Sequence, residues 1–439
     1  MRIVTLAMLL VGICAYAWAV DVPLRFQQYS DGSANAMPWS ATRVPFAKQP
    51  PSGDLKLPKL KSKTPAYALL KLGEAEFLIV LDSRSSSDSF YNRLHFDANG
   101  NHDLTDDPEV SVEASYSWWD AYANIRTTPP LTVSLPANGQ SAPYSFMIQA
   151  YCSFTGFSAS LSRKENWERL TVLIVPSCLL TGEFDLGGEH YRFSLCDQDG
   201  NGKFDDVASV QEDRNRDPYS TKGDVIYIST GRQVEYDDAL GMSDKLFVQD
   251  TLYDVRIDRI ANMMTLTPVI QGLGTLTLPQ GLQRLVLARA DGKSSIAYLN
   301  PGQTVTAPAG DYRLHSYEII REDKSGNLWR LMAQSTGNET VTKVAENSQT
   351  ALKAGEPLRP TMKLAYYSAP GLLGWSGGAQ FSFLLKGAGG EEVTSLLSAG
   401  KISLSFADAA KWSNRSKEPT YKIMTDDGEI VAQGQFEYG

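Results

Sequence analysis

The same acidic pattern occurs twice in the chain, 100 residues apart, as DANGNHDLTD at residues 97–106 and DQDGNGKFDD at residues 197–206. Both stretches have Asp or Asn at positions one, three and five, an apolar residue at eight and Asp at ten. Alternate side chains of a tight turn direct their oxygens at one point, and a hard divalent cation takes about six to eight oxygen ligands. The pattern therefore predicts two EF-hand-like loops that bind Ca²⁺.

The candidate ligands occupy positions one, three, five, seven and ten of each loop. They are Asp97, Asn99, Asn101, Asp103 and Asp106 in the first loop, and Asp197, Asp199, Asn201, Lys203 and Asp206 in the second. At position six the sharp turn favours glycine, and the second loop has Gly202 there, whereas the first has His102. The alternative is a pair of turns in which Asx side chains cap their own backbone without any metal.

A third candidate loop follows the second. It has Asp213, Asn215 and Asp217 at positions one, three and five and Asp224 at twelve, but Pro218 where glycine is expected. The same two interpretations, a metal site and plain turns, apply to it.

The first 19 residues have the form of a secretory signal peptide. Arg2 precedes an apolar run over residues 3–18, and the sequence AWA at residues 17–19 fits a small-x-small cleavage site. An uncleaved membrane anchor is the alternative, and no later stretch approaches the roughly 20 apolar residues that span a bilayer. The sequence predicts a secreted or periplasmic, cell-envelope protein with no transmembrane segment after signal removal.

The charge balance argues against nucleic acid as a partner. The chain has 41 basic and 50 acidic residues, and removal of Arg2 with the leader changes the formal charge from −9 to −10. No HExxH motif occurs and no catalytic residue is assigned, so enzyme activity stays open. Three cysteines follow the leader, Cys152, Cys178 and Cys196, and either one disulfide with a free thiol or three buried thiols is compatible with their positions.

Short alternating apolar runs between turn residues predict a mostly β, antiparallel fold. Residues 66–72 and 76–81 form a predicted hairpin, and predicted strands at 92–96 and 191–196 lead directly into the two acidic loops. This shared setting favours either a distant internal duplication or convergent use of one loop type. The predicted divisions are a Pro-rich arm or linker (20–64), a β-rich domain carrying the loops (65–270) and two β-sandwich-like domains (271–354 and 355–439).

An aromatic cluster suggests a second kind of site. Trp118 and Trp119 lie close to Tyr116 and Tyr122, and stacked aromatic rings can bind the apolar faces of sugars. Adjacent strand residues point to opposite faces, so the alternative is that at least one Trp belongs to the core.

Three resemblances accompany these patterns. The phrase PAGDYRLHSYEI at residues 308–319 resembles prealbumin-like surface-protein modules, and the acidic loops resemble those of dockerins and thrombospondin type 3 repeats. The order of leader, loop-bearing β domain and C-terminal sandwiches resembles exported bacterial β-rich proteins. These resemblances imply Ig-like or prealbumin-like sandwich domains and an envelope or secreted location.

The sequence thus predicts an exported calcium-binding multidomain β protein with a structural or ligand-binding role. A polysaccharide or another surface protein is the expected partner. The alternative function is a carbohydrate-binding protein or a secreted glycan-active hydrolase.

Overall fold

The mostly β class is confirmed. The computed structural model describes residues 19–29, 42–88, 91–117, 122–137, 139–153, 170–210, 223–235, 238–337, 339–368, 378–400, 414–415, 420–425 and 427–435. Throughout these ranges the regular structure is strand, without an α-helix. Consequently no helix there has the length and apolarity needed to cross a membrane.

The strands up to residue 248 are β1 (Val20–Pro23), β2 (Arg25–Gln28), β3 (Thr42–Val44), β4 (Ala66–Leu72), β5 (Ala75–Asp82), β6 (Arg93–Phe96), β7 (Val112–Ser117), β8 (Tyr122–Thr127), β9 (Leu131–Ala137), β10 (Gln140–Ser153), β11 (Leu170–Pro176), β12 (Cys178–Leu186), β13 (Glu189–Cys196), β14 (Val225–Thr230), β15 (Ala239–Gly241) and β16 (Lys245–Val248). The later strands are β17 (Thr251–Asp258), β18 (Met263–Pro268), β19 (Leu273–Thr277), β20 (Leu282–Arg289), β21 (Ser295–Leu299), β22 (Thr304–Pro308), β23 (Gly310–Glu322), β24 (Leu328–Gln334), β25 (Thr342–Val344), β26 (Gln349–Ala351), β27 (Arg359–Ser368), β28 (Gly378–Lys386), β29 (Glu392–Gly400), β30 (Asn414–Arg415), β31 (Thr420–Met424) and β32 (Ile430–Gln435).

These strands form several sheets, and three of the sheets surround the acidic loops. The order β4-β5-β6 carries the first loop, β15-β14-β13-β12-β2 carries the second, and β3-β11-β10-β8-β7, with β9 on β10, packs beside both. The largest sheet runs β1-β18-β17-β16-β21-β20-β23-β24-β29-β28-β27, with β25 and β30 added at its side. Described pairings are antiparallel except β16 with β21 and β19 with β26.

The strands that lead into the two loops are confirmed. β6 ends at Phe96, immediately before Asp97, and β13 ends at Cys196, immediately before Asp197. Both strands are buried over their last residues, in agreement with the apolar side chains in RLHF and YRFSLC. The carboxylate at position one of each loop is therefore delivered directly from the core.

A chain of aromatic rings connects the two loop-bearing regions. Phe77 stacks on Phe96 at 5.7 Å between centroids, and Phe96 meets Phe146 edge-on at 5.7 Å. Tyr144 in turn lies 5.9 Å from Phe146 and 6.1 Å from Phe204. Since Phe204 is position eight of the second loop, both loops are fixed to one core.

Residues 20–64, predicted as an arm or linker, contribute strands to the sheets in their described parts. β1 pairs with β18, β2 with β12 and β3 with β11, so described parts of this segment are edge strands of three sheets. Further along, Leu55, Leu57 and Leu60 pack against the small core around Leu104. Such short strands have too few residues to show periodicity, and their partners lie far away in sequence.

The predicted boundary near residue 271 also has sheet on both sides of it. β16 pairs in parallel with β21, so hydrogen bonds of one sheet connect residues 245–247 with residues 296–298. The division of the chain into domains stays a prediction.

Two of the three cysteines that follow the leader have described side chains. Cys178 and Cys196 are both buried, and burial raises the pKa of Cys178 to about 12. The side chain of Cys152 lies outside the described residues. Burial keeps the two described thiols protonated and unreactive.

Candidate metal centre

The two acidic loops have the same hydrogen-bonded framework. In each loop the carboxylate at position one accepts the backbone amides of positions five and six, at 3.1 and 2.9 Å in the first loop and 3.2 and 2.7 Å in the second. The side-chain oxygen of position three accepts the amide of position five, and the Asn oxygen at five accepts the amide of position seven. Equivalent residues therefore occupy equivalent places, 100 positions apart.

The side chains at positions five and ten also meet in both loops. Asn101 Nδ2 donates to Asp106 Oδ2, and Asn201 Nδ2 donates to Asp206 Oδ2. In the second loop the same amino group also donates to Asp199 Oδ2, at 3.2 Å. The neutral side-chain amide of Asn201 thus bridges the carboxylates of Asp199 and Asp206. A cation between these carboxylates would interact with them more strongly than the amide does.

Position six has left-handed backbone in both loops, as the pattern predicts. The φ angle is +87° at Gly202 and +61° at His102. A side chain is disfavoured in this region, and His is one of the residues that tolerate it best. The apolar residues at position eight, Leu104 and Phe204, are both buried and attach the loops to the core.

A further carboxylate closes each loop, and it comes from a different place in each. The amide of Ala98 donates to Asp107 Oδ1 at 3.1 Å, whereas the equivalent amide of Gln198 donates to Asp224 Oδ1 at 2.9 Å. Asp224 Oδ2 also accepts the amide of Asp206, at 2.9 Å. Asp224, predicted at position twelve of the third loop, thus lies beside the second loop, where the sheet pairing of β14 with β13 places it.

Three carboxylates converge at the second loop and can hold a metal ion. Asp197, Asp199 and Asp224 each offer an oxygen within 4.8 Å of the others, and we call them the Asp197 cluster. Asp197 and Asp224 are 0% and 2% exposed. Within the described part of the chain, no other group of three acidic, His or Cys side chains converges in this way, and no ion pair reaches these three residues.

Burial without a counter-charge shifts the protonation of the Asp197 cluster. Desolvation is the largest cause in each case, raising the pKa of Asp197 to about 7 and that of Asp224 to about 9. The charge of Asp197 raises the pKa of Asp224 further, and the charge of Asp206 raises the pKa of Asp199. A bound cation would reverse these effects by favouring the charged carboxylates.

Neutral and cationic groups from distant strands fix the second loop. Tyr144 on β10 donates its hydroxyl to Asp197 Oδ2 at 2.7 Å. Arg259 Nη1 donates to the carbonyl of Gly202 at 2.6 Å, and its guanidinium lies 5.0 Å from the ring centroid of Phe204. The arginine therefore holds the backbone of the loop and makes no ion pair with the cluster.

The first loop has an ionic partner from the protein itself. Lys56 Nζ lies 2.7 Å from Asp103 Oδ2, and backbone hydrogen bonds join Lys56 to His102 and Leu104. The hydrogen bond from Lys56 is the main cause that lowers the pKa of Asp103 to about 2. The first loop is also more open, with Asn99, Asn101 and Asp106 exposed.

The remaining site predictions have different outcomes. Lys203 is exposed, and its amide donates to Asn201 Oδ1. Asp213, Asn215 and Asp217 of the third loop lie outside the described residues, as do Trp118 and Trp119. Sequence reasoning missed Asp107, Tyr144, Arg259 and Lys56; only Asp107 has a local signal, because it directly follows the pattern.

In comparisons with known proteins, no protein-family model, no curated protein and no solved structure matches this chain. The fold and the site therefore define its class. It is a mostly β protein with an acidic cluster that can hold a metal ion.

Proposed function

We propose that this chain is an exported calcium-binding β protein in which calcium at the second loop braces the scaffold of a cell-envelope or secreted protein. The Asp197 cluster carries the proposal. It brings three carboxylates together, two of them buried, without an ion pair from the described residues. Buried charge of one sign is unfavourable unless a counter-charge is supplied, and a divalent cation supplies it.

The ligand chemistry favours calcium over softer metals. The cluster and the Asn side chains around it offer only oxygen, which suits hard cations, whereas zinc sites in proteins are rich in Cys and His. The loop spacing is that of EF-hand-like sites, and calcium accepts the irregular geometry of such loops more readily than Mg²⁺ does. Asp97 and its loop form a second, weaker calcium site in this proposal.

A structural role follows from what the second loop contacts. The loop is joined to β10 by Tyr144, to residue 259 through Gly202, and to the β4–β5 turn by the bond from the Gly73 amide to the Asn201 carbonyl at 2.6 Å. Calcium that binds only the folded loop stabilises all these contacts together. Linkage gives about 2.7 kcal/mol when free calcium is one hundred times the dissociation constant.

Export supports the same assignment. The leader-like residues 1–19 direct the chain to compartments where dissociation constants of about 10⁻⁴ to 10⁻³ M serve for extracellular calcium modules. Residues 1–18 lie outside the described residues. The proposed partner of the chain at the cell envelope is either a polysaccharide or another surface protein.

Calorimetric titration of the EDTA-treated, dialysed protein with CaCl₂ tests the proposal. We expect saturable binding that Asp199→Ala weakens at least tenfold, because Asp199 is the exposed member of the cluster. The matched control is Asp185→Ala, which removes an exposed carboxylate on β12. Folded protein that binds no calcium, or equal losses in both variants, would refute the assignment.

A further inference from the structure

A cavity of about 280 Å³ with a mixed polar and apolar wall lies directly beside the Asp197 cluster. Asp224 and Gln198 form part of its wall, together with Tyr227 on β14 and His315 and Glu318 on β23. A second cavity of about 360 Å³ shares the side chains of Arg284 and Glu318 with it. Because the first cavity contains His315, we call it the His315 cavity.

His315 leaves a buried polar atom without a partner in this wall. The residue is 6% exposed, and its Nδ1 lies 3.1 Å from Ser316 Oγ. Its Nε2 is buried and has no hydrogen-bond partner among the residues that the structure describes. Buried polar atoms without partners are rare in folded proteins and call for a bound group that can bond to them.

The charges around the cavity are already paired with one another. Glu318 accepts Arg330 Nε at 2.7 Å and lies 3.6 Å from Arg284 Nη1, while Arg284 Nη2 lies 2.6 Å from Asp238. Burial lowers the pKa of His315 to about 4, so the imidazole is neutral near pH 7. A charged ligand would thus find no unpaired charge of opposite sign here, apart from Asp224 of the metal cluster.

The uncharged groups of the wall suit hydroxyls. Gln198 and Gln334 each carry a donor and an acceptor, as do the hydroxyls of Ser316 and Thr394. Tyr227 and Met332 add apolar surface. A sugar ring presents hydroxyls that both donate and accept around a face of C–H groups, and matches this mixture.

We infer that the His315 cavity binds a single neutral sugar ring, with His315 Nε2 bonded to one of its hydroxyls. The volume is close to the lower end, about 300 Å³, of the usual range for ligand pockets, which limits the enclosed part of the ligand to one ring. Thr394 is an exposed residue of the wall, so the rest of a glycan would extend from the cavity beside it. The inference goes beyond metal binding, although the cavity shares Asp224 with the metal cluster and Gln198 with the second loop.

Saturation-transfer-difference NMR tests the inference, with a constant excess of CaCl₂ in every sample. The neutral probes are glucose, galactose, mannose, N-acetylglucosamine and N-acetylgalactosamine, and glucuronate and glucosamine are the charged analogues. We expect at least one neutral sugar to bind, and both charged sugars to bind at least tenfold more weakly than it does. If no neutral sugar binds, or if a charged analogue binds more tightly, the inference is overturned.

Variants then assign the binding to this cavity. His315→Phe fills the space and removes Nε2, and we expect it to weaken binding at least tenfold. The control His190→Phe changes a partly exposed histidine on β13 and should leave the affinity unchanged. Gln334→Ala, at a half-buried wall position, should cost about threefold and decides the matter if His315→Phe does not fold. Equal affinity in the cavity variants and the wild type would place the sugar elsewhere and overturn the inference.

The CaCl₂ concentration is the same in every sample. The comparisons between probes and between variants are therefore valid whether or not the protein binds calcium. A calorimetric result without calcium binding would therefore refute the metal proposal alone.

Discussion

The two acidic loops share one pattern and one hydrogen-bonded framework, yet they differ in how their charge is compensated. The first loop buries Asp97 but exposes Asn101 and Asp106, and Lys56 lies on its Asp103. The second loop buries Asp197 and Asp224 and has no ion pair within the described residues. We therefore expect cation binding to depend on the charge already present around each loop as well as on the spacing of the ligands.

The loops also differ in what they connect. Asp107, which closes the first loop, follows it in the chain, whereas Asp224 closes the second from another strand. A cation in the second loop would therefore join β13 to the start of β14, while one in the first would stabilise only a local turn. The position of one closing carboxylate therefore determines whether a cation in this pattern would connect two strands or stabilise only a local turn.

The largest expected difference between the loops is at position six. A Cβ at Gly202 would lie 2.6 Å from Leu135 Cδ1 and 3.2 Å from Leu72 Cβ, in left-handed backbone. We expect Gly202→Ala to lower the free energy of unfolding by about 3 kcal/mol, and His102→Ala to change it by less than about 0.5 kcal/mol. Urea unfolding measures both, and a tolerated Gly202→Ala would contradict the close packing of the second loop.

The second expectation concerns pH. The carboxyls of Asp197 and Asp224 have pKa values of about 7 and 9 in the metal-free fold, against 3.8 for the ordinary side chain. At pH values above the ordinary pKa and below the raised ones, the folded state holds more protons than the unfolded state. The free energy of unfolding therefore falls as pH rises through this range. We expect the free energy of unfolding of EDTA-treated protein to fall between about pH 5 and pH 8.

Calcium should reverse that trend, since it binds the deprotonated cluster more tightly as pH rises. Asp224→Asn should flatten the pH dependence measured in EDTA, whereas Asp107→Asn should leave most of it. A metal-free protein whose stability rises over this pH range would contradict the uncompensated charge of the second loop.

The hydrogen bond of Tyr144 to Asp197 gives the third comparison. Its acceptor is a buried carboxylate, whereas the hydroxyl of Tyr29 donates at 2.8 Å to the neutral carbonyl of Pro176. We expect Tyr144→Phe to lower the free energy of unfolding by about 2 kcal/mol and Tyr29→Phe by about 1 kcal/mol. Denaturant unfolding at neutral pH measures the free energy of unfolding of both variants. A larger decrease in Tyr29→Phe than in Tyr144→Phe would contradict this expectation.

The smallest expected effect is at Lys56. Its ammonium occupies Asp103, so Lys56→Gln should raise the calcium affinity of the first loop about twofold, as is typical of an exposed charge. Lys59→Gln is the matched control, because Lys59 is exposed in the same segment and has no such contact among described residues. Calorimetry of the weaker binding event measures both, and equal effects would show that Lys56 acts only through net charge.

Part of this arrangement could be predicted from the sequence. Period-two patterning predicted the hairpin of β4 and β5 and the strands before both loops, since these features are local. The equivalence of positions one to ten also follows from the letters alone. Burial of Asp197 beneath Tyr144 could not be predicted, because it depends on packing between β13 and β10, far apart in sequence.

The role of Asp224 shows the limit most clearly. Its spacing from Asp213 suggested position twelve of a third loop, but strand pairing between β13 and β14 determines its actual neighbours. Asp107 has the same role in the first loop at a different distance along the chain. No fixed spacing connects these two closing carboxylates, so no sequence pattern could have revealed them together.

Thermal unfolding in excess CaCl₂ and in EDTA tests the central claim most directly, with the wild type, Asp224→Asn and Asp107→Asn measured side by side. The account predicts that calcium raises the wild-type melting temperature, that Asp224→Asn abolishes most of this increase and that Asp107→Asn retains it. Identical wild-type melting in calcium and EDTA, or loss of the increase only in Asp107→Asn, would contradict the assignment of the metal to the second loop.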